Sequence, residues 1–189
     1  DFDFNDWATN FVSGKISDVE ASMTSRNEKL NNTYMTGQFL GSHDEDGFKY
    51  NLINNKNMTE ENAQAAALVA ASLQITAKGQ PVIYYGEEIG LTGANNYPYQ
   101  TNRYDFDWSL ITDSNKTYQH YKKMLAIRNA YTDVFARGTR TTIAASDAEG
   151  TDVFERAYNG QKLIVALNIG AQEKKVALSG LVANTTYRD

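Results

Sequence analysis

Residues 59–91, TEENAQAAALVAASLQITAKGQPVIYYGEEIGL, contain the strongest structural signals of the chain. Thr59 can cap a helix, Lys78 would lie in its last turn, and Gly79 is suited to end it. The many alanines of this helix favour close packing against a sheet. The β-branched and aromatic residues from position 80 onward predict a buried strand. A helix that leads directly into such a strand indicates an α/β layer.

Similar but shorter patterns occur on both sides of this stretch. The alternation in residues 1–4 predicts the end of a strand, and residues 7–30 predict a helix that breaks at Gly14. Residues 34–42 predict a short apolar strand, and residues 116–134 predict a further helix. This order implies parallel strands joined by helical crossovers. Because three such units are too few for a closed barrel, we expect the chain to be the last part of a larger protein.

The pattern changes after Gly138, where only β-type segments follow. Asn159 and Gly160 supply a hairpin turn between two of these segments, and residues 174–181 predict one more strand. The predicted domains are therefore residues 1–136, which are α/β, and residues 137–189, which are all-β.

Composition limits the classes of partner. The net charge of −5 argues against a nucleic-acid partner, because a surface that reads phosphates needs an excess of basic residues. The absence of cysteine excludes disulfides and thiolate metal sites. No apolar run is long enough to span a membrane. The twelve tyrosines and eight phenylalanines can stack on sugar rings, although most are expected to fill the core.

Ionisable side chains gather where the predicted strands end. In parallel α/β folds the loops at the carboxyl ends of strands carry the reactive groups. The side chains predicted at that edge are Asp1, Asp3, His43, Asp44, Glu87 and Glu88. Residues 43–57 are predicted to form a polar loop. Cleavage of a glycosidic bond needs paired carboxyl groups, and its positively charged transition state favours further anionic groups. An adjacent imidazole and carboxylate can hold two neighbouring sugar hydroxyls.

Several segments in this order resemble the alpha-amylase family, glycoside hydrolase family 13. FLGSHDEDGF (39–48) is similar to the F-x-x-N-H-D segment of the family's seventh barrel strand, with Ser42 in place of Asn. KGQPVIYYGEEIGLTG (78–93) resembles the eighth strand and its outlet. The remaining matches are NRYDFDW (102–108), LAIRNAY (125–131) and VFERAYNGQKLIVALNIG (153–170).

The resemblance implies the C-terminal portion of a (β/α)8 TIM barrel, strands six to eight, followed by a small antiparallel β-sandwich. It implies a retaining enzyme that acts on α-glucan oligosaccharides or polysaccharides. Asp44 would be the transition-state stabiliser and His43 would bind the same sugar, whereas Arg103 would either contact substrate or pair with a carboxylate. The family's nucleophile Asp and acid Glu would precede this chain, so the fragment alone is expected to be inactive. No cofactor is expected in this chain, calcium is possible in a longer protein, and an extracellular or cell-surface location is expected.

Other interpretations remain open at this stage. Aromatic loops and a β-sandwich would also suit a non-catalytic glycan-binding or structural module. A third possibility is a partner protein that keeps the barrel and has lost the site. Hydrolases and transglycosylases share these motifs, and α-1,4 and α-1,6 linkages are not separated by them.

Overall fold

The computed structural model describes residues 1–178. Six α-helices are described: α1 (Asp3–Val12), α2 (Ile16–Lys29), α3 (Phe48–Asn54), α4 (Glu60–Thr76), α5 (Lys116–Ala130) and α6 (Thr132–Arg137). Five strands are described: β1 (Gly37–Gln38), β2 (Gln80–Pro81), β3 (Thr139–Ser146), β4 (Thr151–Tyr158) and β5 (Gln161–Asn168). The first two strands form one sheet, and the last three form another in the order β3-β4-β5.

The amino-terminal segment is helical, so the strand predicted over residues 1–4 is wrong. Helix α1 begins at Asp3, and its residues Phe4, Ala8 and Phe11 are fully buried. Their spacing of four and three residues places them on one helical face. Packing along this whole face outweighs an alternation that spans only four residues. The predicted break at Gly14 is confirmed by its φ of +95° between α1 and α2.

The two short strands β1 and β2 pair in parallel, as the alternating pattern predicted. Gly37 lies opposite Gln80, and Val82 donates its amide to the carbonyl of Gln38 at 2.7 Å. Each strand is only two residues long, which is much shorter than the apolar segments around it. The buried amide of Gln74 on α4 donates to the carbonyls of Gln38 and Val82, both at 2.9 Å. This side chain therefore joins the helix to both strands where the ladder ends.

Helix α4 lies at the centre of the helical layer. Thr59 caps it by accepting from the amide of Asn62 at 3.2 Å, as predicted. The helix ends at Thr76, so Lys78 lies beyond its last turn rather than in it. Every residue from 70 to 76 is buried, because small alanines allow neighbouring elements to approach on several sides. The guanidinium of Arg128 on α5 then donates to the carbonyl of Ile75 at 2.7 Å near the helix end.

Helix α3 lies inside the segment that was predicted to be a loop. Two residues of its sequence, FKYNLIN, are buried in the core, Phe48 and Leu52. Four residues separate these two side chains, so they share one face. The burial of these two side chains stabilises a helix that the low helix propensity of asparagine disfavours.

The three-stranded antiparallel sheet begins at the predicted transition near Arg137. Asn159 and Gly160 have φ values of +47° and +80° and connect β4 to β5, which confirms the predicted hairpin. Residues 174–178 form no strand, and the rest of the segment predicted there lies outside the described residues. Phe154 and Leu167 belong to the same hydrophobic core as α1 and α4.

A buried ionic cluster fastens this sheet to helix α2. Arg140 on β3 pairs with Glu20 on α2 and lies 3.2 Å from a carboxylate oxygen of Asp152 on β4. Its guanidinium also lies 3.3 Å from the ring centroid of Phe154. Burial alone would raise the pKa of Glu20, but the charge of Arg140 and the hydrogen bonds from Arg140, Thr142 and Asp152 together outweigh burial and lower it. Burial and the charge of Glu20 raise the pKa of Asp152 to about 8.

Candidate functional site

The structure places His43 and Asp44 side by side, in the segment that follows β1. The Nε2 atom of His43 lies 3.2 Å from Oδ2 of Asp44. Roughly two thirds of each side chain is exposed, at 66% and 64%. Both groups are therefore open to a solute, and each retains polar atoms that can bind it.

Arg103 is brought to the same place by the loop that follows Gly90. Its Nη2 lies 3.7 Å from Oδ1 of Asp44, and its Nε and Nη2 donate to the carbonyl of His43 at 3.2 and 3.0 Å. Of the two roles predicted for Arg103, this geometry matches pairing with a carboxylate. The guanidinium thus limits where both the main chain and the carboxylate can lie.

Asn102 is the residue at this site that the sequence interpretation missed. Its side chain is fully buried, and its Nδ2 donates to the carbonyl of Glu45 at 2.6 Å and to those of Ser42 and His43 at 3.3 Å. The only sequence signal was its place beside Arg103, since an isolated loop asparagine is typical of a turn. Asn102 fixes the main chain on both sides of the His43–Asp44 pair.

A second set of bonds joins the same two loops. The amide nitrogen of Asn95 donates to Oδ1 of Asp46 at 2.7 Å, and its side chain donates to the carbonyl of Asp44 at 2.6 Å. Gly47 donates to the carbonyl of Gly93 at 2.8 Å. Asp46 and Gly47, which lie in the segment predicted as a polar loop, therefore also anchor the neighbouring loop.

The electrostatic environment of the pair is acidic. Burial raises the pKa of Glu45, and the negative charges of Asp6, Asp44 and Asp46 raise it further. Charges of one sign at a rim favour a ligand or transition state of the opposite sign.

Two other predicted members of this edge lie elsewhere. The main-chain nitrogen of Asp1 donates to Gly37 at 2.6 Å, beside the amino end of β1, and its carboxylate pairs with Arg26 at 2.6 Å. Asp3 begins helix α1. The expectation that both join the carboxyl edge is wrong, because the segment is a helix and not a strand.

Glu87 lies next to Gly41, two residues before His43. It follows Gly86, whose φ is +89°, and starts a short 3₁₀ turn, Glu87–Ile89. Within the described part of the chain, neither carboxyl oxygen of Glu87 has a hydrogen-bond partner, and one oxygen of Glu88 also lacks one. Burial raises the pKa of Glu87 to about 8, and the charge of Glu88 contributes.

The aromatic side chains near the site divide into two groups. Tyr85 packs against Tyr84 and Tyr104 at centroid distances of 4.9 and 5.3 Å, so these rings support one another. A second group is largely exposed: Tyr97 (89%), Tyr99 (78%) and Trp108 (75%). The second group therefore offers more ring surface to a ligand than the first.

No group of three or more His, Asp or Glu residues that could hold a metal ion occurs between residues 1 and 178. Helices long and apolar enough to cross a membrane are likewise absent from the described chain.

Comparison with protein families gives a match over most of this region. The model named "Alpha amylase, catalytic domain" matches residues 2–109. An alpha-amylase from Streptomyces lividans is 30% identical over 181 residues, which cover 83% of this chain and 19% of the relative. An amylopullulanase from Thermoanaerobacter thermohydrosulfuricus is 31% identical over 159 residues, which cover 72% of this chain and 10% of the relative. The chain thus spans less than a quarter of the curated relatives it matches.

Solved structures show the same fold. An alpha-amylase from Anoxybacillus superposes with a TM-score of 0.74 over 96% of this chain and 38% of its own, at 23% identity. A cyclomaltodextrin glucanotransferase with a three-domain ABC distribution superposes with a TM-score of 0.71 over 89% of this chain and 32% of its own, at 25% identity. Because the family match spans more than half of the chain, this protein belongs to the alpha-amylase family, glycoside hydrolase family 13.

Proposed function

We propose that this chain is part of a retaining glycoside hydrolase that acts on α-glucans, and that His43 and Asp44 bind the sugar at the cleaved bond. The observation that carries the proposal is the exposed pair itself, with 3.2 Å between imidazole Nε2 and carboxylate Oδ2. Family membership and the names of the relatives, which include alpha-amylase and cyclomaltodextrinase, support the substrate class.

The geometry suits sugar hydroxyls. The carboxylate of Asp44 accepts hydrogen bonds, and the imidazole of His43 can donate one, so two adjacent hydroxyl groups can be held together. Positive charge develops on the sugar ring in the transition state, and the carboxylate stabilises that charge. Arg103 acts as a positioning residue, because its guanidinium holds the His43 carbonyl and lies near Asp44.

We also propose the architecture that the sequence predicted: residues 1–136 are the last part of a (β/α)8 barrel, and residues 137–189 begin a β-sandwich. In support, β1 and β2 form a sheet of their own, and no other strand among residues 1–178 joins it. Val82 and Tyr85, beside this pair, expose 48% and 41% of their surface. The unpaired edges of such a sheet can bind further strands, and the other strands of a closed barrel would supply them.

The 189-residue chain alone is expected not to hydrolyse maltoheptaose. Retention requires a nucleophile and an acid about 5 Å apart across the bond, and the resemblance assigns both to preceding strands. Release of reducing sugar from maltoheptaose by the purified chain measures this. Turnover that disappears in Asp44→Asn would show that the catalytic pair lies in this chain.

Sugar binding is tested separately by isothermal titration calorimetry with maltoheptaose. Asp44→Asn and His43→Ala should each weaken binding about tenfold, because each removes hydrogen bonds to sugar. Asp133→Asn, on helix α6, makes the same charge change as Asp44→Asn and should leave the affinity unchanged. Equal affinities for Asp44→Asn and the unaltered chain would contradict the proposal.

A glycan-binding role without chemistry is the second candidate. The exposed rings of Tyr97, Tyr99 and Trp108 favour it, since aromatic faces alone can hold sugars. If Tyr97→Ala and Tyr99→Ala abolish maltoheptaose binding while Asp44→Asn does not, this second role is the correct one.

A further inference from the structure

Glu87 occupies an unusual place for a carboxyl group, next to Gly41 in the segment that leads to His43 and Asp44. Its side chain lines a cavity of about 30 Å³ between the end of β2 and the helices. Most of the lining is apolar and includes Leu40, Phe48, Leu68 and Tyr121. Both oxygens of the Glu87 carboxyl are buried there without a hydrogen-bond partner among the described residues.

The nearby polar groups are already engaged. Lys49 is the only cation that lines the cavity, and it lies 3.0 Å from Glu60 and 3.3 Å from the side-chain oxygen of Gln64. Gln64 in turn donates to Thr117 at 2.8 Å. The other titratable groups that influence or are influenced by Glu87 are Glu88, Tyr84, Tyr104 and Tyr121, and none of them is positively charged. An unpaired carboxylate in such a place is strongly disfavoured, so the neutral acid is the stable form.

Glu87 also touches the segment that carries the site. A Cβ atom at Gly41 would lie 2.4 Å from Oε1 of Glu87 and 3.5 Å from its carboxyl carbon. The carboxyl group therefore fills the space that a side chain at position 41 would take. Gly41 is buried and lies two residues before His43.

We propose that Glu87 is a positioning residue for the His43–Asp44 segment, and that it acts as a neutral carboxylic acid packed against Gly41. The raised pKa of Glu87, about 8, agrees with this assignment. Ionisation would draw the carboxyl toward water or a cation. Gly41 would then lose its neighbour, and the residues after it would shift.

The test uses the 189-residue chain with ¹³C-labelled glutamate side chains and ¹³Cα-labelled glycine, followed by NMR from pH 4 to pH 9. The Glu87 carboxyl should titrate well above the ordinary carboxyl range, near pH 8, and the Gly41 resonance should move with the same midpoint. In Glu87→Gln the Gly41 resonance should stay near its low-pH position. Glu88→Gln is the matched control: Gly41 should still titrate together with Glu87, at a somewhat lower midpoint, because the charge of Glu88 no longer raises the pKa of Glu87.

Two results would overturn the assignment: a Glu87 carboxyl that titrates in the ordinary range, or a Gly41 response that is identical in Glu87→Gln and the unaltered chain. If Glu87→Gln does not fold, the unaltered chain still decides the matter, because the midpoints of Glu87 and Gly41 must coincide.

A second readout rests on the proposed function, namely maltoheptaose binding. At pH 9 about one Glu87 in ten would be neutral, so the affinity should be up to about tenfold weaker than at pH 6. In Glu87→Gln this difference between the two pH values should disappear, and if it remains unchanged, the positioning role is wrong. Absence of binding at both pH values in every variant would count against the proposed function, and the sugar-free NMR experiment would still decide the role of Glu87.

Discussion

At the residue scale, the placement of the His43–Asp44 pair depends on side chains that are distant in sequence. Asn102 donates to three carbonyls about sixty residues earlier in the chain, and the Glu87 carboxyl packs against Gly41. Neither interaction leaves a local pattern. The sequence therefore identified the pair through its family motif but could not identify its supports.

Asn102→Ala should lower the free energy of unfolding by about 1–3 kcal/mol, because it removes the fully buried amide that donates to the carbonyls of Ser42, His43 and Glu45. It should also alter the amide resonances of Ser42 and His43. Urea denaturation and ¹H–¹⁵N NMR measure the two effects. Asn96→Ala, in the exposed part of the same loop, should change neither, and a similar loss in both variants would contradict the assignment.

Glu87→Gln should change how stability depends on pH. The pKa of Glu87 rises from its ordinary 4.5 to about 8 on folding, so between these values the folded chain holds a proton that the unfolded chain has lost. The free energy of unfolding therefore falls as pH rises through this window. Glutamine does not titrate, so the stability of Glu87→Gln relative to the unaltered chain should increase from pH 4 to pH 8 by on the order of 4 kcal/mol. Urea denaturation at several pH values measures this, and parallel pH curves would refute it.

At the scale of elements, local signals succeeded where they were strong. Thr59 marked the start of α4, and Asn159 with Gly160 marked the hairpin. The start of α1 and the whole of α3 were missed, because a few buried side chains decide them and their burial depends on the elements packed against them. The strands near β1 and β2 were predicted too long, because an apolar segment continues after its ladder has ended.

The pairing of α2 with the second sheet can be tested through Arg140. Arg140→Ala leaves Glu20 and Asp152 buried without their cation, so the free energy of unfolding should fall by about 3–5 kcal/mol. Arg137→Ala removes an exposed pair with Asp133 and should cost less than about 1 kcal/mol. Urea denaturation of both variants gives the comparison, and equal losses would show that the buried cluster is unimportant.

At the scale of the whole molecule, exposed apolar side chains gather around the first sheet. It has two strands among residues 1–178, and Phe2, Met35 and Val82 expose 67%, 68% and 48% of their surface. The net charge of −5 opposes association only weakly at physiological salt. Exposed apolar groups beside unpaired strand edges favour self-association.

Sedimentation velocity of the 189-residue chain should therefore show association that increases with concentration. Val82→Lys places a charge beside the strand edge and should shift the population toward monomer. Lys162→Ala, on β5, is a surface control without such an effect. A chain that stays monomeric at all concentrations would refute the expectation.

The guanidinium of Arg156, fully buried on β4, donates to the carbonyls of Phe135 and Gly138 at 2.7 and 3.0 Å and also to that of Thr76. If any one of these segments separates from the others, the Arg156 guanidinium and the carbonyls it binds lose their hydrogen-bond partners. Amide protons of β4, of the final turn of α4 and of α6 should consequently exchange with deuterium in one shared event, at a rate set by global unfolding.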